Sequence, residues 1–228
     1  ENELTWENFD QNIFNLFEKN EAISPLGQIK LSNYKIKNKA DGHEKYNKII
    51  INNWINGNFI KSDEKYIIKN YSHLFNENAQ ITRLNNLIWE KKWSSANRQV
   101  KRVNKKIKLL TSAKIKLARR QYGVDNAIQN VPTEFLNDEG LIYERVKWRR
   151  KSGLDEESYN LLKAYLMNNN TQVTKPDIWW KEIYWHTRNL FNKKKYNDAY
   201  ELLSHHKQTK ITNKANAEWF LGWLALSF

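Results

Sequence analysis

The chain has no cysteine, three prolines, seven glycines and one methionine in 228 residues. Without thiols there can be no disulfide, zinc ribbon or cysteine nucleophile, and the chain suits any redox compartment. So little Pro and Gly leaves too few turn residues for an all-β fold and favours helices. No apolar run reaches the ~18 residues that a membrane-spanning helix needs. The opening Glu1-Asn2-Glu3-Leu4 shows none of the features of a signal peptide, although a removed leader would leave the same start.

What is present is aromatic and basic. Ten Trp and 13% aromatic residues predict a core rich in large rings. The net charge is +13, and most of it is concentrated. Residues 81–120 hold thirteen Lys/Arg against one acid, Glu90. Such a surface attracts polyanions such as nucleic acid, anionic lipid or acidic polymer. A composition rich in Lys, Asn and Ile throughout accounts for the same charges without a partner.

Helical periodicity dominates. Trp93, Ala96, Val100, Val103 and Ile107 fall on one stripe of a helix starting at Ser94 or Ser95. Arg98, Lys101, Arg102 and Lys105 then occupy a second, wet face of it. A further helix spans Lys106 to Tyr122, with Gly123 as its stop. Thr133 is a candidate cap, and Asn137-Asp138-Glu139-Gly140 opens a helix over Leu141 to Arg150, ended by Gly153. Asp155 caps the next, and Asn168-Asn169-Asn170-Thr171 is a loop. Pro176 starts a helix holding Trp179, Trp180, Ile183, Tyr184 and Leu190. Earlier, Asp41-Gly42 precedes a helix through Trp54, closed by Asn56-Gly57-Asn58.

A weak repeat links Leu87–Ala96 to Leu190–Ala199. The shared frame is Leu, a large apolar residue, polar residues, Lys, an aromatic, two polar residues and Ala. It predicts a helical hairpin in which the aromatic wedges between helices and Ala lets them approach. Units of this kind stack, which predicts an all-α, right-handed superhelix of hairpins in a single domain over 1–228.

Catalytic signatures are scarce. His43, His73, His186, His205 and His206 form no metal-ligand pattern, and His205-His206 fits a helix C-terminus. No phosphate loop or nucleophile elbow occurs. Asp138-Glu139 and Glu156-Glu157 lie where helices start and read as dipole complements. Trp148-Arg149-Arg150-Lys151 admits two readings, sugar or base stacking and packing with snorkelling cations. Trp180, Tyr184 and Thr187 share one helical side and Trp179 lies elsewhere, so at least one of these rings meets solvent or a neighbouring repeat. No cofactor or metal is expected.

Several blocks resemble the helical N-terminal region of soluble lytic murein transglycosylases, particularly the alphaproteobacterial type. They are Ala40-Asp41-Gly42-His43, Asn53-Trp54-Ile55-Asn56-Gly57-Asn58-Phe59, Arg83-Leu84-Asn85-Asn86-Leu87-Ile88-Trp89, Asp138 through Lys151, Pro176-Asp177-Ile178-Trp179-Trp180, and Ala217-Glu218-Trp219-Phe220-Leu221-Gly222-Trp223-Leu224-Ala225-Leu226. They keep family order from about residue 40 onward, and residues 1–39 match nothing. The closing block, with its paired Trp about Leu-Gly, is the most specific.

The resemblance implies a horseshoe or ring of helices in a periplasmic enzyme that acts on peptidoglycan. In the family a lysozyme-like domain follows, whose Glu acts as general acid/base in a Glu-Ser motif with Gly-Leu-Met-Gln downstream. Here Glu157-Ser158 is the sole Glu-Ser pair, and Met167 is followed by Asn168. No catalytic residue therefore carries over, and the catalytic domain is expected beyond Phe228. The expected role is to hold glycan strands for that domain, without catalysis by this chain. The expected partners are the strands and that domain, with no nucleic acid and no transmembrane segment. The candidate binding residues are Arg98, Lys101, Arg102, Lys105, Trp148, Arg149, Arg150 and Trp180. The alternative is a helical-repeat protein that binds RNA or a protein through the basic 81–120 segment. The apolar face of the closing helix, Trp223 and Phe228 included, is expected to be partly unpaired.

Overall fold

The structure is a computed structural model that describes residues 6, 10–19, 22–38, 42–168 and 172–228. Ala40 and Asp41 of the first quoted block, and 169–171 of the polar loop, lie outside the described residues. The described chain is all-α, with thirteen α-helices, three short 3-10 turns and no strand. The helices are α1 Gln11–Lys19, α2 Pro25–Lys37, α3 His43–Asn56, α4 Lys61–Tyr71, α5 Glu77–Trp89, α6 Trp93–Gln99 and α7 Lys105–Arg119. They continue with α8 Val124–Gln129, α9 Glu139–Lys151, α10 Asp155–Leu166, α11 Pro176–Asn192, α12 Tyr196–Ser204 and α13 Ile211–Ser227. Chain neighbours pack together, as in α2 with α3, α5 with α6, α9 with α10, and α11 with α12. Two compact units result, Glu1–Lys108 and Leu109–Phe228.

The first unit is built around Trp54. Ile29, Ile50, Trp54, Phe59, Ile67, Tyr71 and Phe75 form its main core, with Phe75 stacked 4.8 Å from the Trp54 ring. Burying each such side chain contributes roughly 1.5–3 kcal/mol. Arg83 of α5 lies flat on Trp54, its Cζ 3.9 Å from the ring centre. Its Nη1 donates to the carbonyl of Trp54 and, at 2.5 Å, to that of Gly57. Arg83 therefore caps the end of α3, whose last carbonyls have no partner within the helix. Burial pushes its guanidinium down to about 10.

Gly57 has a steric reason to be glycine. A Cβ there would sit 2.6 Å from the Asn53 carbonyl and would overlap the Phe59 ring. Asn86 Nδ2 reaches the Ile55 carbonyl at 3.3 Å, and Ser95 Oγ donates to Asn58 Oδ1 at 2.6 Å. The two quoted blocks around Trp54 and Arg83 are thus one interlocked structural element.

The expected helix from Ser94 through Ile107 is broken. Helix α6 starts at Trp93 and ends at Gln99, a 3-10 turn covers Val100–Arg102, and Val103 is extended. Asn104 then caps α7, its Oδ1 accepting from the Ile107 amide at 3.0 Å. The apolar stripe survives because a turn of about three residues keeps nearly the same face. Gly123 is also reassigned. Helix α7 already stops at Arg119, and Gly123 precedes α8 with φ 77°. The helix that contains Tyr143 and Val146 begins at Glu139, capped by Asp138 Oδ1 at 2.8 Å from the Leu141 amide. The residue before α10 is Leu154, with Asp155 the first helical residue.

The repeat seen in sequence has a shared backbone. Lys91 and Lys194 both adopt left-handed φ, 59° and 60°. The next amides reach back five residues, Lys92 to Leu87 at 2.8 Å and Lys195 to Leu190 at 3.0 Å. This is the Schellman ending of a helix. A third copy follows α9, with Gly153 at φ 78° and the Leu154 amide on the Arg149 carbonyl at 3.0 Å. Four residues after each turn's closing position stand Ala96, Ser158 and Ala199, all 0% exposed. A small residue there lets the second helix of the hairpin pack closely. Phe191 and Tyr196 face each other across the α11–α12 turn at 5.4 Å.

In the second unit, carboxylates tie the hairpins together. Glu139 at the start of α9 accepts from the amides of Thr174 and Lys175, both at 3.1 Å, and from Trp179 Nε1 at 3.0 Å. It thereby fixes the entry to α11 and the fully buried Trp179. Lys114 pairs with Asp138 at 2.6 Å. Arg150 of α9 grips Glu182 of α11 with two bonds, 2.6 and 2.9 Å.

Candidate functional site

The eight residues expected to bind substrate do not form one site. Arg98 and Arg102 are held by the buried carboxylate of Glu64, each at 2.8 Å. Arg98 also donates to the Phe59 carbonyl at 2.9 Å. These two cations are half-buried and paired, so the expected wet stripe reduces to Lys101 and Lys105, which are exposed. The four also belong to three elements rather than one helix, because the chain breaks between Val100 and Asn104. Trp148 is half-buried against the Leu110–Leu117–Leu141 core and reads as packing. Arg149 donates to the Glu157 carbonyl at 3.0 Å.

Arg150 and Trp180 do come together, in a groove of ≈ 560 Å³ along α11. Trp180, Tyr184 and Trp185 supply its aromatic wall, and Asn189 and Asn192 supply amides. The Arg150 guanidinium lies 5.2 Å from the Trp185 ring centre and is neutralised by Glu182. The hydrogen bond to Glu182 is the main reason its affinity for the proton is raised. On the far side of Tyr184 and Arg188 lies a second groove of ≈ 350 Å³, walled by Phe191 of α11 and by Asn216, Trp219, Phe220 and Trp223 of α13.

Tyr184 and Arg188 line both grooves and form the ridge between them. The Arg188 guanidinium lies 5.7 Å from the Tyr184 ring centre. Among the described residues no Asp or Glu lines either groove. Trp180, Tyr184 and Arg188 follow one another every four residues, which puts them on one face of α11. Thr187, expected on that side, is fully buried instead.

Helix α13 is partly covered, as its apolar face was expected to be. Trp219 is 71% exposed, parallel to Trp223 with ring centres 6.3 Å apart. Trp223 and Phe228 both touch Phe191, at 5.1 and 5.9 Å, and Phe228 stacks on Tyr196 at 3.7 Å. The doubled Trp about Leu221-Gly222 therefore has a division of labour. One ring is anchored in the α11–α12 hairpin and the other is presented to solvent.

One polar pair resembles catalytic parts without their setting. Ser158 Oγ lies 2.9 Å from His186 Nε2 and donates to the Val146 carbonyl at 2.8 Å. With the serine hydrogen on that carbonyl, the His186 N–H donates to Ser158. Burial, aided by nearby Arg150, pushes the imidazole down to about 4. Both side chains are almost wholly buried and line none of the grooves described. Their role is to fix α10 between α9 and α11. Glu157 is exposed on the first turn of α10. His205 caps the end of α12, and His206 Nε2 meets Glu218 at 3.2 Å. Among the described residues no group of three His, Asp or Glu is placed to hold a metal ion, and no helix is long and apolar enough to cross a membrane.

Tyr184, Arg188 and Trp219 were not singled out as binding residues from the sequence. The signal for Tyr184 and Arg188 was the four-residue spacing Trp180–Tyr184–Arg188, which dense runs of lysine elsewhere outweigh. Compared with family models, with curated proteins and with solved structures, the chain has no match in any of the three.

Proposed function

We propose that the chain is a non-catalytic helical domain of a soluble lytic transglycosylase and that it holds peptidoglycan glycan strands along α11. The observation that carries this reading is the pair of grooves joined at Tyr184 and Arg188. The half-buried rings of Trp180 and Tyr184 and the exposed ring of Trp219 offer flat apolar faces to sugar rings, and Asn189, Asn192 and Asn216 offer amides to hydroxyls. Ligand sites in general combine these two elements, a mostly apolar concave wall and a few polar groups that fix orientation.

The sequence blocks support the same reading, with a qualification. The blocks around Trp54, Arg83, Asp138 and Trp179 are accounted for by packing and capping, so they speak for a shared fold. The closing block around Trp219 and Trp223 contributes to a groove, so it speaks for a shared surface. In this reading the domain presents strands to a lysozyme-like domain of the same periplasmic protein.

Sedimentation with purified sacculi tests it. The chain should pellet with the sacculi, and Trp180→Ala combined with Trp219→Ala should cut the bound fraction severalfold. Reversing Lys101 and Lys105 to Glu should matter less. If the Lys variant loses binding and the Trp variant does not, the basic segment is the interface and the groove reading is wrong.

A further inference from the structure

We infer that a groove between α9, α10 and the segment leading into α11 binds an aliphatic ammonium ion, an alkyl chain that ends in a protonated amine. This groove shares no lining residue with the two grooves of α11 and α13. The inference is therefore independent of the glycan-binding role.

The groove measures ≈ 510 Å³, within the range of small-molecule sites. Ile142 of α9 and Leu161 and Ala164 of α10 supply apolar lining. Asn137 and Gln172 bring side-chain amides to it, Glu139 a carboxylate, and Tyr165 a hydroxyl. Leu161, Ala164 and Tyr165 stand three and four residues apart, which puts them on one face of α10.

Tyr165 carries the argument. It lines the groove although it is only 8% exposed, and its ring is held by stacking on Trp179 at 5.1 Å. Among the described residues no hydrogen bond to its hydroxyl is formed. A hydroxyl withdrawn from water without a partner costs about 1–3 kcal/mol. Left in that state at the wall of a groove, it points to a ligand that supplies the partner.

Charge decides which ligand. The chain carries +13, yet among the described residues no Lys or Arg lines this groove. Glu139 accepts from the Thr174 and Lys175 amides and from the Trp179 indole, which orient its carboxylate and leave its charge in place. Asp138 beside it is balanced by Lys114 at 2.6 Å. Burial raises the pKa of the Tyr165 hydroxyl, and Glu139 and Asp138 raise it further, which marks the local field as negative. That field repels an anion and gives a neutral chain no advantage. It attracts an ammonium, whose three N–H donors match the lone pairs of Tyr165 Oη and of the Asn137 and Gln172 amide oxygens. The methylene stem then lies along Ile142, Leu161 and Ala164, as the stem of a lysine lies on apolar surface.

Calorimetric titrations of the full chain at low salt test this with three probes. They are a five-carbon terminal diamine, the terminal diol of the same length, and an acetyl-lysine methylamide. The diamine should bind about tenfold more tightly than the diol, the effect of one charge-assisted contact. Tyr165→Phe keeps the ring on Trp179 and should weaken the diamine about tenfold. Its urea midpoint should match the wild type, because the hydroxyl has no partner to lose. Gln172→Glu adds a carboxylate and should tighten the diamine severalfold, a gain that no misfolded variant would show. Tighter binding of the lysine derivative than of the diamine supports the inference and assigns the site to a lysine side chain of another protein. The reverse order supports it and assigns the site to a free amine. Equal affinity for diamine and diol, failure to bind any probe, undiminished affinity in Tyr165→Phe, or no gain in Gln172→Glu overturns it. Sedimentation with sacculi tests the glycan reading separately from all of these results.

Discussion

Lys91 and Lys194 close two separate hairpins with the same left-handed backbone, φ 59° and 60°. A side chain in that conformation costs about 1–2 kcal/mol that glycine does not incur. Lys91→Gly and Lys194→Gly should therefore each stabilise the chain, by about 0.5–1 kcal/mol after the greater freedom of glycine in the unfolded chain is counted. Gly153 holds the third turn at φ 78° with nothing within 4 Å of its would-be Cβ. Gly153→Ala should cost about 1 kcal/mol through backbone strain alone. Urea unfolding of the three variants checks the set, and a shared sign would contradict a common turn.

Arg83 should be among the least replaceable residues of the first unit. It is fully buried, stacked on Trp54, and caps two carbonyls at the end of α3. Arg83→Met keeps the bulk and leaves both carbonyls without a donor, a loss of about 3 kcal/mol. Arg83→Lys should not rescue it, because an ammonium offers no flat fork. Gly57→Ala, whose Cβ meets the Asn53 carbonyl and Phe59, should cost about 1–3 kcal/mol. Equilibrium denaturation reads all three.

The four basic residues from Arg98 to Lys105 should separate into two pairs. Arg98→Ala and Arg102→Ala each remove a charged contact to buried Glu64 and should cost about 1.5–3 kcal/mol. Lys101→Ala and Lys105→Ala should leave the unfolding midpoint within error. Equal effects across all four would contradict the distinction between clamp and surface.

His186 should give the chain a pH-dependent stability. Its folded pKa is pushed down from 6.5 to about 4. The unfolded chain therefore binds the proton first, and stability is fully present above about pH 6.5 and lost as pH falls toward 4. The loss amounts to roughly 3 kcal/mol at the usual conversion. His186→Gln keeps a donor for Ser158 and has no proton to gain. Its stability should be flatter between pH 7 and pH 4 in urea titrations, and a slope equal to that of the wild type would sink this assignment.

Much of the fold was legible because helix signals are local. Pro176 marked the start of α11, Asn137-Asp138-Glu139-Gly140 the start of α9, and the Leu87 and Leu190 frames the two lysine turns. The break before Asn104 was hidden because a 3-10 turn preserves an apolar stripe that reads as continuous helix. The third turn was hidden because Gly153, Asp155 and Ser158 replace Lys, aromatic and Ala with residues that serve the same backbone and packing. The site was less legible for a different reason. Sequence shows charge and cannot show pairing, so Arg98, Arg102 and Arg150 read as free cations. Glu64 and Glu182, far away in the chain, hold them. Arg188 stood alone in sequence and gains its place only when α13 is laid beside α11.

The central claim is that the α11–α13 grooves hold a glycan strand, and a calorimetric titration with a soluble, peptide-free glycan oligomer tests it most directly. The wild-type chain should bind, and both Trp180→Ala and Trp219→Ala should weaken binding by about 1–3 kcal/mol, the worth of one stacked ring. Unchanged affinity in both variants would contradict the account.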